Sequence, residues 1–288
     1  ASSPSTGNWT IEHGQPVRSR QVFEGCAAAH VTMRFDVITL FPDLFGPFLT
    51  QGINRRAFEN KQVEVVLWNL RDYADGNYRR VDDRPFGGGP GMVMMAEPLV
   101  RCLAAVRAAR AEPVAQQAPV VLFSPIGQTL DHSAVQTWSE SAGAVLVCGR
   151  YEGIDQRFID QCVDTQISLG DFVLSGGEIA AIALLDAVAR LQPGVLNDAG
   201  SHQQDSFNPA LDGLLDCPHY TRPEVWQHNA TEHRVPDVLM SGNHERIARF
   251  RRDASLQTTA LRRPDVLAQV REAGHLSRQD EAVLARLG

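Results

Sequence analysis

The stretch VLVCGRYEGIDQRFIDQCVDTQISLGDFVLSGGEIAAIALLDAVAR, residues 145–190, decides how this chain folds. An apolar run from Ala144 to Cys148 stops at Gly149-Arg150-Tyr151-Glu152-Gly153. A second Gly-rich segment runs from Ser168 to Glu178, and a strongly apolar helical run closes the stretch. Two buried strands that end in glycines bring backbone close to something, and a bound cofactor is the usual reason. Tight turns between packed elements also use glycine. The Tyr, Glu and Asp residues among these glycines favour a site.

Working outward, strand, turn and helix alternate. Arg34–Phe41 reads as a strand ended by Pro42-Asp43, which starts a helical stretch through about Asn60, and Val63–Trp68 is the next β-rich run. Glu97–Ala111 has helical periodicity, and Val120–Phe123 reads as a short strand broken at Ser124-Pro125-Ile126-Gly127. Asp131 caps a helix to about Glu140. This alternation implies an α/β fold with a mainly parallel sheet and helices on both faces. Loops at Ser124-Pro125, Gly149–Gly153 and Ser168–Gly177 then meet at the carboxyl ends of the strands, where such sheets bind ligands.

The loop from Arg79 to Met92 carries alternating Arg and Asp residues and then Gly87-Gly88-Gly89-Pro90-Gly91. No Lys-Ser or Lys-Thr follows, which excludes a P-loop, and no G-x-G-x-x-G lies behind a strand. Its charges read as ordering the loop against a partner or a second subunit. Residues 1–32 read as an extension outside the fold, 33–195 as a cofactor-binding domain, 196–212 as a flexible linker, and 213–288 as a small helical domain. In the last, Arg246, Arg249, Arg251, Arg252, Arg262 and Arg263 face one acid, Asp253, within residues 246–263. Arg246, Arg249 and Arg252 share a helix face by spacing, either as a solvated face or as a surface that tracks phosphates.

Composition bounds the function. The 288 residues are 43% hydrophobic and 21% charged, which suits a globular protein of about two domains. A net charge of −7 does not advertise a nucleic-acid binder, although a local basic face is enough to hold phosphates. Cys26, Cys102, Cys148, Cys162 and Cys217 form no C-x-x-C, which points to reduced thiols in a cytoplasmic protein rather than a disulfide scaffold or thiolate zinc site. No apolar run is long enough to span a membrane.

Four motifs carry a resemblance. Val81–Met92 (VDDRPFGGGPGM), Cys148–Asp155 (CGRYEGID), Gly170–Glu178 (GDFVLSGGE) and Leu214–Pro223 (LLDCPHYTRP) closely resemble the bacterial tRNA (guanine-N1)-methyltransferases, the TrmD family. The likeness runs in order from Met33 nearly to the C-terminus. It implies a SPOUT-class catalytic domain tied in a trefoil knot, which pattern reading alone misses because knots are rare. It also implies S-adenosylmethionine as methyl donor, magnesium dependence with no metal ligand assigned, and tRNA rather than DNA as substrate. The implied assembly is a homodimer with active sites shared between chains. The implied target is N1 of the guanosine just 3′ of the anticodon, position 37, after a preceding G.

N1 of guanine keeps its proton until a base removes it, and negative charge then builds on O6. By motif position, Asp205 of Asp205-Ser206-Phe207 matches the family's general base and Arg190 its O6-contacting arginine. Read by residue type alone, Asp205 is a solvated loop acid and Arg190 a cation at a helix C-terminus. Positions matching the cofactor site are Leu122, Phe123, Ser124, Pro125, Gly149, Tyr151, Glu152, Ser168, Leu169, Gly170, Phe172, Leu174, Gly176 and Gly177. Candidates for tRNA contact are His219, Arg222, His244, Arg246, Arg249, Arg252, Arg262 and Arg263. Ser241-Gly242-Asn243-His244 reads equally as a helix cap. Phe172 stands where a Tyr is usual, Ala180 for a Pro, and Gln156 for a Glu. None removes a group that proton transfer needs. The competing readings are another knotted RNA methyltransferase, acting on a ribose hydroxyl or a different base, and a non-catalytic RNA-binding protein.

Overall fold

The structure, a computed structural model, describes residues 33–110, 117–197 and 202–287. The N-terminal extension read over residues 1–32 lies outside them. The chain divides into two compact units, which part between Val195 and Leu196.

The first unit is built on five strands: β1 (Met33–Thr39), β2 (Val63–Asn69), β5 (Val120–Thr129), β6 (Gly143–Val147) and β7 (Thr165–Ser168). They lie in the order β2-β1-β6-β5-β7, and every pairing is parallel. Two short strands, β3 (Asp82–Asp83) and β4 (Val93–Met94), form a separate antiparallel ribbon. A parallel sheet covered on both faces needs strands apolar on both sides. The inner strand β6 meets that need, since all five of its residues are buried.

Alternation along the strands feeds two cores. Phe35, Val37, Ala144 and Leu146 pack with Ala181, Leu184, Leu185 and Val188 of a long helix, Glu178–Arg190. Ile38, Val145 and Val147 pack on the other face with Leu99, Cys102, Leu103 and Val106 of α3 (Ala96–Ala108). The stretch read as helix through Asn60 is two short helices, α1 (Gly46–Thr50) and α2 (Arg55–Glu59). The cap read at Asp131 is present: its carboxylate accepts from the Ala134 N–H at 2.8 Å at the head of α4 (His132–Ser139). Asp155 caps α5 (Gln156–Cys162) in the same way through the Arg157 N–H, and Glu178–Arg190 is α6.

One buried carboxylate anchors the sheet. Asp36, wholly buried in β1, accepts from the Trp68 indole N–H at 2.8 Å, from Arg110 at 2.8 Å and from Arg34 at 2.8 Å. Arg110 also donates to the carbonyls of Arg34 and Ala144. Burying such a charge is favourable only when its lone pairs are filled in this way.

Strand β5 runs further than the sequence suggests. Phe123 and Gln128 both pair with Ile167, so Ser124–Gly127 bulges out and the chain returns to β7 through Gln128 and Thr129. Pro125 lacks an N–H, which suits it to this unpaired excursion.

The second unit gathers Leu214, Leu256, Val266, Leu267 and Val270 into its own core. Its helices are α7 (Asp237–Met240), α8 (His244–Arg262), α9 (Pro264–Glu272) and α10 (Arg278–Leu284). It is not purely helical, because β8 (Val225–His228) and β9 (Thr231–Arg234) form an antiparallel hairpin. Asp280, buried at the head of α10, completes a capping box with Ser277 and takes hydrogen bonds from Arg249 at 2.9 Å and Arg252 at 3.2 Å. Burial alone would raise its carboxyl pKa. Hydrogen bonds from the Ser277 backbone and hydroxyl and from Arg252 and Arg249 outweigh that and hold it down at about 2.

A carboxylate depressed from an ordinary value of 3.8 to about 2 contributes stability that is complete above the ordinary value and lost as pH falls through the folded one. Hydrogen-exchange protection of α8 and α10 should therefore decline between pH 4 and pH 2 by about 2 kcal/mol. Asp280→Asn should start lower and show little of that decline. Equal acid sensitivity in the variant would remove Asp280 as its source.

Candidate functional site

The bulge of β5 and the carboxyl ends of β6 and β7 open onto one cavity. Leu122, Phe123, Ser124 and Pro125 line it from β5, Gly149 to Ile154 from the loop after β6, and Ser168, Leu169 and Phe172 to Gly177 from the loop after β7. Of the cofactor positions expected from the sequence, all but Gly170 line this cavity. Gly170 is bound back onto the Ser168 hydroxyl, which donates to its carbonyl and accepts from its N–H, each at 3.1 Å. It shapes the loop rather than the wall.

Close approach restricts the glycines of these loops. A Cβ at Gly177 would lie 2.8 Å from the Cα of Cys148, and the Gly177 N–H donates to the Gly149 carbonyl at 2.9 Å. The loops after β6 and β7 are therefore strapped backbone to backbone. A Cβ at Gly91 would lie 2.4 Å from the Cγ of Glu152. The Glu152 N–H donates to Met92 and the Met94 N–H to Gly153, each at 2.9 Å. The Gly87–Met92 loop is thus tied along the rim of the cavity through its last residues. Tyr151, between these contacts, holds a left-handed φ of 61°, unusual for a residue with a bulky side chain.

The cavity stands on a buried charge pair. Glu178, the first residue of α6, is fully buried; it accepts from the Thr39 hydroxyl at 2.8 Å and from Arg150 Nε at 2.9 Å. Arg150 also donates to the Ser175 carbonyl at 3.2 Å, and its guanidinium lies 4.5 Å over the Phe41 ring. A carboxylate at a helix N-terminus is favoured by the helix dipole as well. Burial, with the Glu178 charge adding to it, pushes the Cys148 thiol well above its ordinary pKa. It is a packed side chain and not a nucleophile. Sequence reasoning named the neighbours of Arg150 and Glu178 but not this pair. The available signal was an arginine inside one glycine loop and an acid heading an apolar helix.

The other expected residues fall in different settings. Arg190 is the last residue of α6 and half-buried. Asp205, half-buried in the second unit, sits in a run of turns where its N–H donates to the His202 carbonyl and its carbonyl accepts from Asn208. Ser206 Oγ next to it accepts from the Asp216 N–H at 2.9 Å. His219 is hydrogen-bonded to Asp216 at 2.7 Å. Arg222, His244, Arg246 and Arg262 are exposed. Arg263 pairs with Asp265 at 2.7 Å and lies over the Phe207 ring. Arg249 and Arg252 face inward: Arg249 pairs with Asp253 and Asp280, and Arg252 with Asp212 and Asp280. Asn243 caps α8 by accepting from the Arg246 N–H at 3.0 Å, so the motif before His244 serves as a cap.

Comparison with known proteins gives one consistent match. The family model described as tRNA (Guanine-1)-methyltransferase TrmD matches residues 33–269. The chain is similar to the tRNA (guanine-N(1)-)-methyltransferase of Paracidovorax citrulli, 69% identical over 255 residues, which cover 88% of this chain and 98% of that protein. The protein of the same name from Polaromonas is 68% identical over 88% of this chain and 97% of its own length. The one from Bordetella pertussis is 55% identical over 88% and 98%.

Because Glu178 is wholly buried, removing its cation should be costly. Arg150→Ala is expected to destabilise the first unit by about 3 kcal/mol, read as a shift in the urea midpoint. Arg150→Lys should recover only part, since one ammonium cannot bond Glu178 and Ser175 as the guanidinium fork does. An unshifted midpoint in Arg150→Ala would show that the pair does not hold the loops.

Proposed function

The chain belongs to the tRNA (guanine-1)-methyltransferase TrmD family, and on that premise we propose that it methylates N1 of the guanosine at tRNA position 37 when a G precedes it, with S-adenosylmethionine as donor. The observation that carries this reading is the convergence of the β5 bulge and the loops after β6 and β7 on one cavity, at the positions the family resemblance names.

The lining suits that donor. Leu122, Ile154 and Leu174 offer an apolar slot for a purine ring, and the loop backbones offer edge hydrogen bonds. Glu152 places a carboxylate on the same wall, able to meet a sulfonium, an ammonium or a ribose hydroxyl. When bound, S-adenosylmethionine supplies an electrophilic methyl, so the protein's task is to make guanine N1 nucleophilic and to aim it. In this reading Asp205 takes the N1 proton, and Arg190 holds the charge that grows on O6. Phe172 keeps a ring for stacking where a hydroxyl is usual. Supporting a cytoplasmic setting, Cys102, Cys148, Cys162 and Cys217 are free thiols, and no described helix is long and apolar enough to cross a membrane.

The proposal extends to the trefoil threading of the catalytic domain and to a homodimer whose active sites draw on both chains. Strand order β2-β1-β6-β5-β7 and the strapping of the two glycine loops support the first. Phe41, Leu44, Ile53 and Ile179, all exposed on the first unit, support the second. The magnesium requirement expected from the family is assigned no site. The group of three possible ligands among the described residues is Asp216, Cys217 and His219. A thiol and an imidazole suit softer metals, whereas magnesium prefers oxygen donors, so no step is routed through this group.

The test is primer extension on an unmodified tRNA transcript incubated with the protein, S-adenosylmethionine and magnesium. A methyl at N1 blocks Watson–Crick pairing, so reverse transcriptase should stop beside guanosine 37. Asp205→Ala should lower the single-turnover rate by roughly 10²- to 10⁴-fold. A variant as fast as the wild type would keep the reaction and discard Asp205 as its base. No stop with the wild type, despite measurable cofactor binding, would redirect the search to another RNA target.

A further inference from the structure

The hairpin of β8 and β9 has no place in the chemistry above, and its residues are exposed along both strands except for Val225, which is half-buried. Its two-residue turn, Asn229-Ala230, has φ of 49° and 61°, the mirror-image geometry that matches strand twist. An isolated two-stranded hairpin is marginal in water, so its side chains must supply whatever holds it. On one face Glu232 accepts from Gln227 and from Arg234. On the other face, Trp226 opposes His233 in register, with His228 two residues along the strand. The Trp226 ring stacks on His228 at 4.9 Å and lies 5.5 Å from His233.

This second face is unusual for a soluble surface. The indole remains 55% exposed although two imidazoles flank it. Directly opposite residues of an antiparallel pair share a face, so Thr231, opposite His228, completes it. The hairpin's one carboxylate, Glu232, lies on the far side, already paired. The face therefore offers an indole, two imidazoles and a hydroxyl, with no aliphatic surround and no fixed negative charge of its own. Flat π surface with hydrogen-bonding edges is what an unstacked nucleobase needs, while an apolar protein segment would find little beside the indole to cover. At the root of the hairpin, the Val235 N–H donates to the Glu224 carbonyl. Both residues line a recess that also contains Tyr220, Arg222 and Met240. Arg222 and Glu224 thus both line the recess at the root of the hairpin.

We propose that Trp226, with His228 and His233, forms a stacking platform for an unpaired base of the RNA substrate. The inference rests on the reading of the protein as a tRNA-modifying enzyme and adds to it a contact separate from the methyl-transfer site. Base–aromatic stacking is tolerant of sequence, so the platform would raise affinity for the folded substrate rather than choose the methylated base.

The experiment uses the full chain with Trp226→Ala and Trp226→Phe. Titration with unmodified tRNA transcript, followed by indole emission, should show a quenched component in the wild type that is missing from Trp226→Phe. A filter-binding Kd for the same transcript should weaken by about tenfold in Trp226→Ala and by far less in Trp226→Phe, which keeps a ring. In methyl transfer the loss should appear in KM for tRNA. An unchanged Kd in Trp226→Ala would overturn the platform, as would an indole indifferent to tRNA. A fall in molecular mass of Trp226→Ala on sizing, with Kd intact, would overturn it in favour of contact with a second copy of the chain. Because Kd and emission read binding alone, they decide the platform even where primer extension finds no stop at guanosine 37; that second failure would count against the proposed reaction instead.

Discussion

Glu178, a carboxylate with no access to water, organises the cavity of the first unit. Glu178 begins the helix that covers one face of the sheet, and it is satisfied from two directions, by Thr39 at the end of β1 and by Arg150 just beyond β6. These residues come from distant parts of the chain, so the charge can be buried only once the strands are side by side and the loops have closed. An unpaired carboxylate in that position would cost several kcal/mol, far more than a partly formed alternative could recover. The pair therefore acts as a check on assembly. It also sets the cavity: Arg150 reaches back to Ser175, so the same guanidinium that neutralises Glu178 fixes the loop that carries Leu174, Gly176 and Gly177.

The sheet explains why so much of the fold was readable. Strand β6 is a continuous apolar run, and β1 and β2 are apolar apart from Arg34, Asp36, Thr39, Glu64 and Asn69, close to the pattern of a parallel sheet covered on both faces. The Asp131 cap and helices α3 and α6 follow from local chemistry. What escaped reading depends on partners remote in sequence. β5 continues past Ser124–Gly127 because β7 accepts Gln128 and Thr129 after the bulge, and nothing in the pentapeptide around Pro125 announces that return. The hairpin of β8 and β9 was invisible for a different reason. Val-Trp-Gln-His and Thr-Glu-His-Arg have no apolar face to betray a strand, and Asn-Ala is a weaker turn signal than Asn-Gly.

The candidate site divides along the same line. Glycine-bearing loops announce a binding cavity from sequence because backbone approach restricts the residue type, as at Gly177 against Cys148. Charged side chains carry no such restriction. Arg249 and Arg252 share a helix face with Arg246, as their spacing requires, yet the structure turns two of the three inward onto Asp280, Asp253 and Asp212. The partner that decides this, Asp280, lies 31 residues from Arg249 and 28 from Arg252. No helical periodicity reports a contact at that separation.

That inward turn changes what the second unit can offer an RNA. Each guanidinium committed to a carboxylate is removed from the count of charges that could release counterions from a phosphate backbone. Exposed arginines such as Arg222, Arg246, Arg251, Arg262, Arg278 and Arg286 keep that capacity, on a chain whose net charge is −7. Long-range attraction of a polyanion to such a protein is weak, so affinity has to come from short-range contacts made after encounter. Aromatic surface meets that need, because stacking is insensitive to the sign of the protein's field and to salt at the level that screens exposed charges. An acidic protein that handles tRNA therefore gains more from an exposed ring than from further arginines already answered by its own acids.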